Sequence, residues 1–487
     1  MRRLSLILLL GAVGFGGCAG VRPQAAFDDV EATLAERTDS RVAWATGTAE
    51  DAALRAAVDS LLADSLTAGA AVQIALLNNR RLQATYEDLG VAQASLVQAG
   101  LLSNPVFGAR ALWPIEGGGA PDLGFNVAFE FLDVFYLPLR KRVARSAYEA
   151  ARYRVAAAVL DLAARTRTAY IRAQADQLRL AMQARIVQNT EAGYTAARLL
   201  REAGNVPAVD LLAEQALYEQ ARLDLLVAEG AAAESCETLV RLMGLSGPAA
   251  AIDLPTALPP VPAESPLPFV RTSTEADLPG AVVDAAALER LAVEASLDLA
   301  AARQDVETAA ARLGIANVES VLPDLEAGGE FEREEGEWQA GPEAEVVLPL
   351  FDQGQAARAA GRAELRRARA LYEAVAVDVR SAARVLAQRL ATARRAGLHY
   401  QTTVLPLRAE LSAQTLRQYN AMQTGVFGVL QAQRQEAEAA RAYADALAAY
   451  WTARADLDLL LQGRMPPLDG GLALSAAGPS MPTPDRH

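Results

Sequence analysis

The run from Leu139 to Ala203 contains no proline and a single glycine, Gly193. At 1.5 Å per residue it reads as one continuous helix of roughly 90–100 Å. No solitary globular domain can enclose such a rod. Its apolar face must lie against other long helices or other subunits. "AGNVP" (Ala203–Pro207) breaks the run, and a second helix returns as far as Gly244. Composition supports close helix packing: 52% of residues are hydrophobic but only 6% aromatic, because alanine and leucine dominate. Alanine has the best helix propensity and a small side chain.

The chain is duplicated. Leu82, Asp88, Ala92, Leu96 and Ala99 match Leu299, Asp305, Ala309, Leu313 and Ala316, each 217 positions later. Pro105 matches Pro323 after a one-residue slip, and Leu211, Arg222 and Gly244 match Leu430, Arg441 and Gly463, each 219 later. The period is far too long for a solenoid unit and indicates two halves built on one plan.

That plan is helix, strand pair, very long helix, turn, long return helix. The first repeat covers 67–244: a helix from about Ala70 to Gly100, a β-hairpin over 105–133, then the helical hairpin. The second covers 285–463, with its first helix reaching about Val321, its β-hairpin over 323–347 and its long helix starting near Phe351. Pro406 is expected to kink that helix, which makes the second hairpin the more easily bent. Its turn is "QTGVF" (Gln423–Phe427). A proline-rich segment, 245–284, reads as an irregular linker, and 464–487 as a disordered tail.

The strand pairs carry an unusual pattern. In "FNVAFEFLD", Phe125, Val127, Phe129 and Phe131 lie on one face, with Asn126, Ala128 and Glu130 opposite. In "EFEREEGEWQAG" (Glu330–Gly341), apolar residues alternate with acids on both sides of a turn. Period two is the mark of a strand, but a face so uniformly acidic is rare. No helical stretch approaches the roughly 18 apolar residues of a membrane span. A membrane would have to be crossed by strands. Four strands per chain cannot close a barrel, since the smallest have about eight; three chains would supply twelve.

The N-terminus is a secretory signal: Arg2 and Arg3, an apolar run from Leu4 to Phe15, then small residues up to Cys18. The small residues before Cys18 resemble a bacterial lipobox, with Phe15 standing where leucine is usual. Signal peptide 1–17 would be removed and Cys18 acylated, heading an N-terminal extension over 18–66. Ala19 follows the cysteine rather than an inner-membrane retention aspartate, which implies the outer membrane. Cys236 falls within a helical stretch; two cysteines make no disulfide framework. A net charge of −13 argues against nucleic acid as a partner.

An enzyme is not expected. His399 and His487 are the only histidines, and there is no Cys/His cluster, G-x-S-x-G elbow or phosphate loop. "GGGAP" at Gly117 reads as a turn. Met422, Met465 and Met481 are too scattered for a metal-binding tract. No cofactor and no metal site are expected.

Three stretches resemble TolC-type outer-membrane efflux proteins: "LLNNRRLQATYEDLGVAQASLVQAGLLSNPVF", "VVLPLFDQGQAARAAGRAELRRARALYEA" and "GVFGVLQAQRQEAEAARAYADALAAYWTARADLDLLL". The resemblance covers about 67–463, and "YNAMQTGVFGVLQAQ" with "ALLNNRRLQATYEDLG" is most similar to members that accompany copper or other heavy-metal export. It implies a homotrimer with a twelve-stranded outer-membrane barrel continuing into a long helical barrel across the periplasm. It also implies that the helical tips meet a periplasmic adaptor, which links the channel to an inner-membrane pump. On that plan Glu326, Glu330, Glu332, Glu343 and Glu345 line the channel. Leu325, Ala327, Phe331, Trp338, Ala340, Ala344 and Val346 face lipid. Gly204, Asn205, Thr424 and Gly425 are the adaptor-contact tips. The chain would be a passive conduit. The rival readings are a periplasmic adaptor and a structural coiled-coil lipoprotein; adaptors carry one hairpin flanked by compact β modules, whereas this chain has two.

Overall fold

A computed structural model describes residues 23–468 apart from 48–49, 114–120, 131, 256, 264–269, 273–280, 284, 321–324, 335–336 and 348–349. The signal peptide, Cys18 and residues 469–487 lie outside the described residues. In chain order the helices are α1 (Pro23–Ala35), α2 (Glu50–Leu62), α3 (Ala68–Asn78) and α4 (Arg80–Gln98), followed by β1 (Val106–Leu112) and β2 (Asp122–Glu130). Helices α5 (Asp133–Glu202) and α6 (Ala208–Met243) form the first long pair. A short antiparallel pair, β3 (Val270–Thr272) and β4 (Ala281–Val283), lies within the proline-rich linker, which is therefore not wholly irregular. The second repeat comprises α7 (Ala285–Ala295), α8 (Leu297–Glu319), β5 (Leu325–Glu334), β6 (Glu337–Val346), α9 (Gln355–His399), α10 (Leu405–Asn420) and α11 (Val426–Leu461).

The compact units do not coincide with the two repeats. One unit gathers 1–33, 85–156 and 297–376, and so holds the long strands of both repeats. The other gathers 34–84, 157–296 and 377–487. Each contains matching pieces of both halves, because long helices bury different stretches of their length with different neighbours.

Helix α5 spans 70 residues and starts at Asp133, six residues earlier than its proline-free run, with Pro138 inside it. That is about 105 Å of unbroken helix. Each repeat's first helix, expected as one rod, is instead two. In the first repeat the break is Asn79, whose side chain accepts the N–H groups of Arg81 (2.9 Å) and Leu82 (3.1 Å) and so caps α4. The second repeat breaks at Ser296, 217 positions later, between α7 and α8.

Helices α6 and α11 end alike. Gly244 (φ 69°) and Gly463 (φ 105°) are left-handed. In each case the next residue's N–H reaches back five residues along the helix, Leu245 to Val240 and Arg464 to Leu459. A Cβ on Gly244 would stand 2.8 Å from the Asn78 carbonyl oxygen, and one on Gly463 would overlap the Ala295 carbonyl. The Asn78 amide donates to Met243 and Gly244, and the Asn79 amide to Leu242. In the second repeat the Gln462 carbonyl, which matches that of Met243, and the Ala295 carbonyl accept instead from Arg37 of the N-terminal segment. The N-terminal segment thus takes part in the junction of the second repeat.

The tail's first residues are held rather than loose. Arg464 pairs with Asp161 at 2.9 Å, and Arg389 donates to the Leu468 carbonyl at 2.6 Å. Pro406 does not end its helix either. Tyr400–Val404 forms a π-helical turn, in which the Leu405 N–H bonds to the Tyr400 carbonyl, and α10 continues with Pro406 in its first turn. The one-residue slip places the missing proline N–H where the ladder is already broken.

Candidate functional site

The strands of the first unit form one antiparallel sheet in the order β1-β2-β5-β6. The two repeats are joined at its centre, Phe125 opposite Phe331 and Asn126 opposite Glu330. Directly opposed residues share a face, so the register sorts the side chains without ambiguity. Glu326 stands opposite Glu345, Gly328 opposite Glu343, Glu330 opposite Gly341 and Glu332 opposite Gln339. All five sequence-predicted glutamates therefore lie on one face. Leu325, Ala327 and Phe331 lie on the other, with Val346, Ala344 and Ala340 opposite them and Trp338 opposite Arg333.

The register also reveals how the acids are spaced. At the helix end of the sheet, Glu130, Glu326 and Glu345 are opposed across three consecutive strands, with Glu343 beside them. At the turn end, Glu332 of β5 and Glu337 of β6 lie on this same face, two positions apart along the strands. Between these two belts the face carries Val106 and the small residues Gly108, Ala128, Gly328 and Gly341, interrupted by Asn126 and Glu330. Glu130 had been assigned to a polar face in the sequence but not to the predicted channel set. Its membership follows from a pairing between strands almost 200 residues apart, which leaves no local signal.

The turn-end belt is partly neutralised. Arg110 of β1 reaches Glu332 of β5 at 2.6 Å, crossing β2 at Gly124, which has no side chain to obstruct it. Gly108 likewise leaves room for a neighbour's side chain, since a Cβ there would meet the Asn126 amide and push it aside.

The opposite face is apolar and aromatic apart from Arg333 at its turn end. Phe107 stacks on Phe125 (6.2 Å) and Phe125 on Trp338 (6.1 Å), a row spanning the sheet. Phe107, Trp113 and Trp338 are each more than half exposed, and β6 is exposed along its whole length. Among the described residues no strand lies beside the outer edges, β1 and β6. Below the sheet, Asp133 accepts from the Ser103 hydroxyl (2.5 Å) and backbone N–H (2.9 Å) and pairs with Arg140 at 2.9 Å. Burial alone would raise this carboxyl, but Ser103 and Arg140 outweigh it and hold the pKa below the ordinary aspartate value.

The predicted tips lie in the other unit, at the turns after α5 and α10. Gly204, Asn205 and Gly425 are exposed and Thr424 is half-buried. Gly204 takes φ 77°, but Gly425 does not take the matching role. Its φ is −84° and it N-caps α11. The left-handed residue of the second tip is Met422, at φ 57°, 218 positions after Gly204 and 95% exposed. The hydrogen bonds correspond: Asn205 to Leu200 (2.8 Å) and Gln423 to Gln418 (2.8 Å). The repeat offset was the signal that could have found Met422.

Among the described residues no group of three or more His, Cys, Asp or Glu side chains could hold a metal ion, and no helix is long and apolar enough to cross a membrane. Both statements leave the sheet as the feature to explain.

Residues 71–245 match the outer membrane efflux protein family. The fold of the whole chain is that of solved outer-membrane channels. No curated protein matches the sequence. Among solved structures the chain is similar to CusC, with TM-score 0.62 and 17% identity, over 84% of this chain and 92% of that one. It is also similar to the open-state MtrE channel of Neisseria gonorrhoeae (TM-score 0.58, 20% identity, 81% and 88%). The Campylobacter jejuni CmeC outer membrane channel gives TM-score 0.56 at 14% identity, over 88% and 90%. At these identities the likeness is one of fold.

Proposed function

We propose that this member of the outer membrane efflux fold is the outer-membrane channel of a tripartite efflux system, working as a homotrimer and as a passive conduit without chemistry of its own. The carrying observation is the sheet, with two free edges, one aromatic and apolar face, and one face of carboxylate belts. Three copies of four strands make twelve, enough to close a barrel with lipid outside and water within. Strands of 9 or 10 residues, tilted as barrel strands are, span about 25 Å, the height of such a barrel's apolar band. The lumen would carry Glu326, Glu330, Glu332, Glu343 and Glu345, and Glu130 as well, favouring cations. Arg110 offsets Glu332, and screening over about 8 Å keeps the preference modest.

The tips at Gly204, Asn205, Thr424 and Gly425 would meet a periplasmic adaptor, and an inner-membrane pump would supply the energy. The π turn before Pro406 makes the second hairpin the one to carry an opening motion. The cargo proposed is heavy-metal cations such as copper, on the carboxylate lumen and the sequence resemblance. Cys18 would anchor the mature chain by lipid in the outer membrane.

The test is the reversal potential of single trimers in a planar bilayer under a KCl gradient. Wild type is expected to favour cations, and the variant with all five predicted glutamates changed to glutamine is expected to move toward zero potential. An anion-preferring wild type, or an unmoved variant, would take these side chains out of the lumen. Intact-mass measurement of the same preparation tests the anchor, and a mature N-terminus without diacylglycerol would remove it.

A further inference from the structure

Below the sheet the charge reverses. In a chain of net charge −13, the first turns of the two helices that leave the strands are strongly basic. In α5 the stretch 138–145 carries Arg140, Lys141, Arg142 and Arg145 with no acid. In α9 the stretch 358–369 carries five arginines and one glutamate. Arg140 is occupied by Asp133, and Arg358 donates to Ser320. Arg142, Arg145, Arg362, Arg366, Arg367 and Arg369 are exposed, and no carboxylate among the described residues pairs with any of them. Arg362, Arg366 and Arg369 follow i, i+4, i+7 spacing, one face of α9.

Between the apolar sheet face and these cations stands a further apolar step. Leu350 is 71% and Phe351 94% exposed just before α9, and Val134 and Phe135 are more than half exposed at the start of α5. Moving from strand to helix, the surface is therefore aromatic sheet, exposed aliphatic and phenyl groups, then unpaired guanidinium groups. All of this lies within one compact unit. A phospholipid leaflet presents the complementary order, acyl chain then phosphate.

We propose that this arginine stripe binds anionic phospholipid headgroups of the periplasmic leaflet, a contact that rests on the channel reading above. The unpaired residues lie between about 10 and 21 Å along their helices from the sheet end. Side chains on a helix tilt toward its N-terminus, which for both α5 and α9 is the end at the sheet. Long arginine side chains extend that reach, and the guanidinium fork matches a phosphate in bidentate fashion. Three copies would repeat the stripe around the barrel as a collar.

The test uses the full-length trimer in vesicles of phosphatidylethanolamine with phosphatidylglycerol, followed by native mass spectrometry of the lipids retained. Wild type is expected to hold phosphatidylglycerol above its bulk proportion, and added salt to reduce the excess. Changing Arg142, Arg145, Arg362, Arg366 and Arg369 together to glutamine should return retained lipid to the bulk ratio, while lysine at the same positions should keep most of the excess. Undiminished enrichment in the glutamine variant overturns the proposal. So does unchanged lipid with a shifted reversal potential, which would turn the stripe toward the lumen. Pore conductance of wild type is read in parallel. Absence of pores sinks the channel reading, whereas wild-type pores without lipid enrichment sink only this one.

Discussion

The two hairpins descend from one plan but differ in how they are held. Helices α6 and α11 are both 36 residues long and end on glycine in the same motif. Their partners diverge. Helix α5 is unbroken, and near its far end Gln183, Thr190 and Ala197 are still buried. The corresponding part of the second repeat is α10, reached through a π turn, and none of its residues is buried. Leu407, Leu411, Leu416 and Tyr419 are left exposed along it. Segments with few buried contacts open at low free energy. The first hairpin is a braced rod, while the second is jointed, with an outer arm that buries none of its own residues.

If the repeats are matched at the junction but not at the tip, substitution there should have large effects in both. Gly244→Ala and Gly463→Ala each force a side chain into left-handed backbone, at about 1–2 kcal/mol, and press a Cβ on a carbonyl, about 1–3 kcal/mol more. Gly463→Ala should be the worse, because its φ of 105° is less tolerant and its Cβ overlaps Ala295 outright. Denaturant unfolding of the purified protein measures both. Equal and small losses would mean the junction is looser than its geometry.

What the sequence made legible follows from how each feature is encoded. Strand faces were readable because period two survives in "EFEREEGEWQAG", and the ends of α6 and α11 because glycine marks them. The breaks at Asn79 and Ser296 were hidden, since a side-chain cap and a serine look like ordinary helix polar positions. The short β3–β4 pair was masked by surrounding prolines. Arg110 and Glu332 are 222 residues apart, and only the central pairing of β2 with β5 brings them together. The mixed membership of the compact units was equally invisible, because helix periodicity reports that a face is buried and not by what. The left-handed Met422 had no local signal, because a methionine does not mark a positive φ as a glycine does.

Met422 supplies the smallest and sharpest test. It occupies the position that the first repeat gives to Gly204, with matching hydrogen bonds, yet it bears a side chain 95% exposed. Glycine enters this conformation without strain, so Met422→Gly should relieve about 1 kcal/mol at the second tip. Gly204→Met should add a similar strain to the first. Hydrogen exchange at the amides of Gln423 and Asn205, whose bonds close the two motifs, reads each change locally. Slower exchange at Gln423 in Met422→Gly and faster exchange at Asn205 in Gly204→Met are expected. Adaptor binding separates strain from use. If Met422→Gly firms the tip but weakens adaptor capture, the side chain is retained for contact. If capture is unchanged or improved, the exposed methionine contributes only strain, and the difference between the tips has no bearing on docking.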